Sequence, residues 1–258
     1  MRLAVLADIH GNRTALEAAW ADLQSRGDFD EIWLLGDLAA FGPRPADCVR
    51  RVLELRAQFG EEKLRVIGGN TDRYLVHGSR PAWTPAAEDA DALRALAPAW
   101  NARDRALNWS VEQLAWEEYD FLRGIAGREL SLRAPDYGPV IGYHAIPGDD
   151  ESTALRPDSP AEEALDALLD REGRLGIGGH THLQMDRDLG HWRAVNVGSV
   201  GWSFSAPGMA EWGLFTFADG VATVELRRVP WDVAAVLQEF RAAGHPAPQP
   251  FITQGRLR

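Results

Sequence analysis

Short apolar runs alternate with amphipathic stretches along the first part of the chain. Residues 1–7 (MRLAVLA), apolar apart from Arg2, form a run of strand length. Asn12 then stands where a helix N-cap belongs, and Leu16, Ala19, Trp20 and Leu23 recur at helical spacing up to about Ser25. Residues 31–36 (EIWLLG) repeat the strand pattern. Pro45 opens a second helix that carries Val49, Val52, Leu53 and Leu55, and residues 64–68 (LRVIG) give a third strand. This order predicts a layered α/β sheet.

Residues 80–127 break the alternation. They are alanine-rich and read as helical, with Trp83, Trp100, Trp109 and Trp116 among them. Ser110 and Gln113 fit a capping box for a helix ending near Gly124. The segment reads as a cap-like helical insertion, or as one more layer over the sheet. Its tryptophans read as core in preference to base-stacking surfaces. Beyond it, residues 139–144 and 175–179 read as strands, with a helix at 160–172 between them. Residues 192–197, 213–217 and 221–229 lie close together, with turn signals at Gly208, Asp219 and Gly220, and read as an antiparallel run. A last helix covers 231–243. The expected organisation is one domain over 1–243, the helical insertion at about 80–127 included, followed by a loosely held tail over 244–258.

Composition narrows the class. The chain has 258 residues, 45% of them hydrophobic, which is enough for a substantial core. No apolar run approaches the roughly 18 residues that a membrane span needs, so no membrane partner is expected. The opening MRLAVLAD reaches Asp8 before a signal-peptide core can form, and Cys48 is the sole cysteine. A cytoplasmic protein without disulfides is expected, its oligomeric state left open. The net charge is −11, which argues against general nucleic-acid binding, because that requires a basic face. A phosphate site on such a chain must draw positive charge locally, from metal ions or a few arginines.

The chemistry gathers at the ends of the predicted strands. Asp8 and His10 follow the first, Asp37 the second, and Asn70, Thr71 and Asp72 the third. His144 ends the 139–144 strand, and His180 and His182 follow the fifth. Four of the seven histidines therefore fall at strand ends, and two of them, His10 and His180, stand next to a glycine. In open α/β sheets the carboxyl ends of strands are where ligands bind. Imidazole, carboxylate and amide oxygen together suit manganese, iron or zinc. Seven such side chains exceed one four-coordinate zinc and suit two divalent ions sharing a carboxylate. Two dications against two carboxylates leave a positive site, which attracts phosphate.

Taken in order, Asp8-x-His10, Gly36-Asp37, Gly69-Asn70, His144 and Gly179-His180-x-His182 resemble the signature of the calcineurin-like metallophosphoesterases. The DIHGN start, the GDLAAFGP turn and the NVGSVG segment at 196–201 resemble the compact bacterial phosphodiesterase branch. The resemblance implies a four-layer α/β/β/α sandwich of two mixed sheets flanked by helices. It implies that Asp8, His10 and His182 hold one metal, that Asn70, His144 and His180 hold the other, and that Asp37 bridges both. Manganese is the first candidate, with iron, zinc, nickel or cobalt as others. It also implies hydrolysis by a metal-bridging hydroxide, with Asn70, Asp37 and His180 in the catalytic set.

This chain departs from the family pattern after Asn70. The family often places a histidine there, the usual candidate for leaving-group acid, and here Thr71 stands in its place; either Asp72 or His77 replaces it, or the leaving group needs no acid. The pattern favours a phosphodiesterase on a small phosphorylated substrate, a nucleotide-derived one among the candidates. A phosphomonoesterase is the alternative, and a non-catalytic binding module on the same fold is a third reading. Arg13, Arg44 and Arg73 follow three of the ligand loops and are candidates for contacting substrate phosphate, with Arg103 and Arg105 as weaker ones. Asp149 and Asp150 read as turn caps, and Ser199 as a residue that serves its backbone turn.

Overall fold

The first apolar run becomes β1 (Arg2–Leu6), which leads through α1 (Arg13–Ser25) to β2 (Glu31–Leu35), and through α2 (Pro45–Phe59) to β3 (Leu64–Ile67). The computed structural model describes residues 1–81 and 86–257. Three helices follow: α3 (Asn70–His77), α4 (Ala90–Glu112) and α5 (Trp116–Ile125). Next come β4 (Leu130–Ala134), β5 (Gly138–Gly142), α6 (Ala161–Asp166), β6 (Leu175–Gly178), β7 (Met185–Leu189) and β8 (Trp192–Asn196). The chain closes with β9 (Met209–Ala218), β10 (Val221–Pro230), α7 (Val233–Ala242) and α8 (Gln249–Gln254).

The strands form two five-stranded mixed sheets, ordered β10-β9-β1-β2-β3 and β4-β5-β6-β8-β7. β1, β2 and β3 run parallel, and β9 returns antiparallel beside β1. In the second sheet β5, β6 and β8 run parallel between antiparallel edges. Successive residues of a strand face opposite ways, and β1 shows the consequence. Leu3 and Val5 join Trp33, Leu35, Val140 and Ile177 in the core between the sheets. Ala4 and Leu6 face the other way, into a cluster with Leu16, Trp20, Val49 and Val52 of α1 and α2. Tyr143 and Ala194 pack with Ala164 and Leu168 beyond the second sheet. The result is the expected sandwich, helices outside and sheets face to face. Burying a side chain such as Leu3 contributes about 1.5–3 kcal/mol.

α1 forms as its sequence dictates. The Asn12 side chain accepts the Ala15 N–H at 3.0 Å, and Ala15, Leu16, Ala19, Trp20 and Leu23 make its buried face. Several other expectations are corrected. Ser110 starts no helix: it lies inside α4, its hydroxyl donating to the Ala106 carbonyl at 2.9 Å. α5 is capped instead by Glu118, which accepts the Ala115 N–H at 2.7 Å. The helix expected over 160–172 ends at Asp166, because the next bonds, from Leu168 to Leu165 and from Leu169 to Asp166, tighten to three-residue spacing. Residues 192–197 do not join β9 and β10 but lie in the other sheet, parallel to β6.

The expected insertion has two parts. Leu107, Leu122 and Ile125, from the end of α4 and from α5, belong to the same cluster as Leu38, Val52 and Tyr74. The first half of α4 stands out from that layer, with Leu93 and Trp100 exposed. Trp109 is buried, but Trp100 is 42% and Trp116 69% exposed, so these two are not core. Trp83 lies outside the described residues. The tail expected to be loose is anchored: Phe251 and Leu257 are buried, and the Trp202 ring stacks on Phe251 at 5.0 Å and 12°.

Candidate metal centre

The strand ends of both sheets deliver their polar residues to one place. Asp8 and His10 leave β1, Asp37 leaves β2, and Asn70 opens α3 just past β3. His144 follows β5, and His180 and His182 follow β6. The backbone is bent sharply there. Asp8, His10, Asp37, His180 and His182 all have φ between 50° and 67°, a region costly for residues with a Cβ. Such strain, of order 1–3 kcal/mol per residue, persists only where the surroundings enforce it. Two glycines permit the close approach. A Cβ on Gly69 would collide with the Asp37 carboxylate and the His144 ring, and one on Gly179 with the Asp8 carboxylate.

The side chains converge. Asp8, His10 and His182 bring ligand atoms within 4.8 Å of one another, as do Asp8, Asp37 and His144. Asp8 Oδ1 lies 3.4 Å from His182 Nε2, 3.9 Å from His10 Nε2 and 4.0 Å from His144 Nε2. Asp37 Oδ2 lies 3.4 Å from His10 Nε2 and 3.6 Å from His144 Nε2. Asn70 Oδ1 lies 3.0 Å from His144 Nε2 and 3.1 Å from His180 Nδ1. All seven sequence candidates are therefore assembled, and both carboxylates, not Asp37 alone, reach toward histidines of both implied metal sets.

The outer hydrogen bonds fix which ring nitrogens face inward. Nδ1 of His10, His144 and His182 lies against the carbonyls of Ala40, Leu35 and Trp202, at 3.1, 2.7 and 2.7 Å. A carbonyl only accepts, so each Nδ1 carries a proton and each Nε2 is the atom turned inward, with a lone pair to offer whenever the ring is neutral. His180 is reversed: Nε2 donates to the Glu151 carbonyl at 3.1 Å, and Nδ1 turns to the site. The His10 and His182 Nε2 atoms, 3.0 Å apart, then aim lone pairs at each other. Asp8 Oδ1 is buried with no hydrogen-bond partner. Facing lone pairs and an orphaned buried carboxylate oxygen are what a cation relieves, so these residues fit metal ions.

Electrostatics agree. Burial holds His10 and His180 neutral, pushed down to about 4. Burial also disfavours charge on His144, but the Asp37 carboxylate outweighs it and takes that ring up to about 10, so its Nε2 holds a proton that a bound cation would have to displace. Burial would raise Asp37 and Asp8, yet the neighbouring histidines hold both carboxyls below the usual range.

The remaining candidates fare differently. Asp72 is fully buried, and its two oxygens accept the N–H groups of Leu38 and Gly69 at 2.9 and 3.1 Å. It braces the two loops, and both of its oxygens are taken up by backbone N–H groups. His77 is exposed at the far end of α3. Arg13 is engaged with Glu17 and the Asp47 carbonyl, and Arg44 with Asp47 and Glu239, so neither is a free phosphate contact. Arg73 pairs with both oxygens of Asp150 and with Glu151. Ser199 serves its turn as expected, donating to the Asp8 carbonyl at 2.7 Å and accepting the Trp202 N–H at 2.8 Å. Reading the sequence missed Phe41 and Trp202, whose rings lie 6.0 and 5.2 Å from that of His10. Their only sequence signal is their position in the GDLAAFGP turn and just after NVGSVG.

The architecture and this histidine–carboxylate cluster define a metal-binding α/β sandwich. The sequence matches the family model of the calcineurin-like phosphoesterase superfamily domain over residues 1–218, and the chain belongs to that superfamily. A symmetrical bis(5'-nucleosyl)-tetraphosphatase of Paracidovorax citrulli is 32% identical over 132 residues, covering 51% of this chain and 43% of that relative. The match thus spans less than half of the relative's length. A metallophosphoesterase from Sphaerobacter thermophilus superposes with a TM-score of 0.70 at 22% identity, over 100% of this chain and 98% of the other. A hypothetical protein from Pyrococcus horikoshii OT3 gives 0.76 at 21% identity, over 95% and 94%. These two structures show the same fold. None of the helices among the described residues is long and apolar enough to cross a membrane.

Proposed function

We propose that this protein is a dinuclear metal-dependent phosphodiesterase acting on a small, nucleotide-derived substrate. The observation that carries the reading is the unpartnered Asp8 Oδ1, 3.4–4.0 Å from His182, His10 and His144, in a cluster that Asp37, Asn70 and His180 complete. Asp8, His10 and His182 would hold one ion, and Asn70, His144 and His180 the other, with Asp37 shared. Bound divalent ions supply charge neutralisation at phosphorus and acidify water. Manganese is the proposed pair, because the nitrogen and oxygen donors suit it, with iron, zinc, nickel or cobalt as alternatives. The Asn70 amide, anchored through its oxygen, keeps its NH2 as a donor for a phosphate oxygen. The buried, unpaired thiol of Cys48 accords with the proposed reducing, cytoplasmic location.

Two features favour a diester-type substrate. A monoester dianion calls for extra cationic groups, and Arg13, Arg44 and Arg73 are already paired with carboxylates. Beside Asn70, Thr71 cannot protonate a leaving oxygen, and both oxygens of Asp72 are engaged by backbone N–H groups. A leaving group that departs as a stable anion, such as a nucleotide phosphate, needs none. The nucleotide substrate in the name of the Paracidovorax relative accords with this.

The test is a paired rate assay. Protein stripped of metal and reloaded with manganese is given bis-p-nitrophenyl phosphate or p-nitrophenyl phosphate, each with a chelator control. A chelator-sensitive rate favouring the diester is expected. A rate favouring the monoester would overturn the diester reading, and no metal-dependent rate on either would overturn the phosphoesterase reading.

A further inference from the structure

Two cavities flank the candidate metal centre, and their chemistry differs. One, of about 290 Å³, opens beside His144 and is lined by Glu129, Asp149, Asp150 and Glu151 together with Arg73 and Arg128. Its arginines are outnumbered by carboxylates, and Arg73 is committed to two of them. A phosphate-bearing ligand gains nothing by placing its organic part there.

The other cavity, of about 460 Å³, lies on the His10 and His182 side. Phe41 and Trp202 form its inner wall and Ala99 and Ala102 of α4 its floor; Gln249 and Gln254 of α8 stand at its rim. Among the described residues no carboxylate lines it, and Arg103 supplies its one charged side chain. The wall is continuous with the metal centre: the Trp202 ring lies 5.2 Å from that of His10 and 5.6 Å from that of His182. Phe41 is held in that wall at φ 79°, a backbone region that a bulky side chain occupies only under constraint. Its ring lies 5.6 Å from that of Trp202.

We infer that this cavity binds the nucleobase of the substrate, so that Phe41, Trp202 and Ala102 set specificity for a nucleotide over a simple alkyl phosphate. This rests on the nucleotide reading above. A planar heteroaromatic group matches the site in three ways. One of its faces can lie on the half-buried Phe41 ring, which Trp202, itself stacked on Phe251, backs from behind. Its edge carries both donors and acceptors, as do the two glutamine amides. Its phosphate, directed toward the metal centre, passes Arg103 and meets no carboxylate of the cavity. An aliphatic ligand would use the walls but gain nothing from the two amides, which lie exposed to solvent. Arg103 itself pairs with Asp104 at 2.9 Å, so its contribution is a softened field and not a bidentate clamp.

The experiment compares binding of adenosine 5'-monophosphate and ribose 5-phosphate to the manganese-loaded protein by calorimetry. The two probes share a phosphate and differ in the base. A preference of about tenfold or more for the adenylate is expected in the wild type. Ala102→Trp, which fills the floor, is expected to remove that preference while leaving ribose 5-phosphate affinity in place. Ala99→Trp, at a more exposed position of the same floor, replaces it if the first variant does not melt cooperatively. Equal affinities in the wild type, or a preference that survives the filled floor, would overturn the assignment. Hydrolysis of bis-p-nitrophenyl phosphate by the same wild-type preparation reports separately on the phosphoesterase reading. Its absence would sink that reading, and the adenylate preference would still decide the cavity.

Discussion

The carboxylate of Asp72 accepts the backbone N–H of Leu38 at 2.9 Å, joining the loop that carries Asp37 to the first turn of α3, which carries Asn70. Its other oxygen takes the Gly69 N–H, and Asp37 in turn accepts the Thr71 N–H at 2.9 Å. Two ligand loops from neighbouring strands are thereby locked in register. Burial, aided by the Asp37 charge, takes the Asp72 carboxyl up to about 7. The fold meets that cost to hold Asp37 and Asn70 at a fixed separation.

Asp72→Asn tests the brace. An amide offers one oxygen where two N–H groups need acceptors, so one donor is left facing an NH2. A loss of about 1–3 kcal/mol is expected, measured by urea unfolding of the metal-free protein. Manganese affinity should fall with it. A variant of unchanged stability that loses only turnover would restore Asp72 as the leaving-group acid.

Metal removal is expected to destabilise the wild type. Ions that bind only the folded state add about 2.7 kcal/mol at a hundredfold excess over Kd, so manganese should raise the melting temperature and a chelator reverse the rise. Asp37→Asn removes the carboxylate that lies 3.4 Å from His10 and 3.6 Å from His144. It should lose turnover by at least about a thousandfold, together with most of the manganese-induced shift. Wild-type rates in this variant would show that the chemistry lies elsewhere.

Much of this site was legible because strand-end chemistry is local. A buried apolar run followed at once by Asp, His or Asn marks a ligand loop without knowledge of its neighbours. Asp8, His10, Asp37, Asn70, His144, His180 and His182 were all found that way, and they meet at one place. What was missed depends on partners distant in sequence. β7 (MDRDL) holds three charged residues of five because it is a sheet edge, and its apolar period disappears. The free arginines of the sequence reading were spoken for by partners such as Asp150, 77 residues from Arg73. The tail looked loose because Trp202, which stacks on Phe251, lies far from it in sequence.

Arg73 is expected to act on metal retention and not on substrate affinity. It grips Asp150 and Glu151, and the Glu151 carbonyl fixes the His180 ring through Nε2. Arg73→Ala frees that loop. Manganese affinity should drop about tenfold, within the range for outer partners of ligands, while KM at saturating manganese stays near the wild-type value. Arg73→Lys, which keeps charge but not the two-pronged grip, should fall between. A KM raised tenfold with metal affinity intact would make Arg73 a substrate contact after all.

His245 gives the chain a pH-dependent seam at its C-terminal end. Its ring packs edge-on against Trp109 at 4.5 Å and Phe240 at 5.1 Å, and burial pushes it down to about 4 from the ordinary 6.5. The folded protein therefore keeps the ring neutral where the unfolded chain takes up a proton. That stabilisation is fully present above pH 6.5 and is lost as pH falls toward 4. The loss should reach about 1 kcal/mol near pH 5.5. The metal ligands titrate in the same range, so the measurement is a difference between wild type and His245→Phe at each pH, which cancels their contribution. Phenylalanine keeps the edge-on packing and cannot take a proton. The stability gap between the two proteins should be constant above pH 7 and move in favour of the variant by about 1 kcal/mol between pH 7 and 5.5. A gap that does not change with pH would show that His245 is protonated in place, with a partner that the packing around Trp109 and Phe240 does not provide.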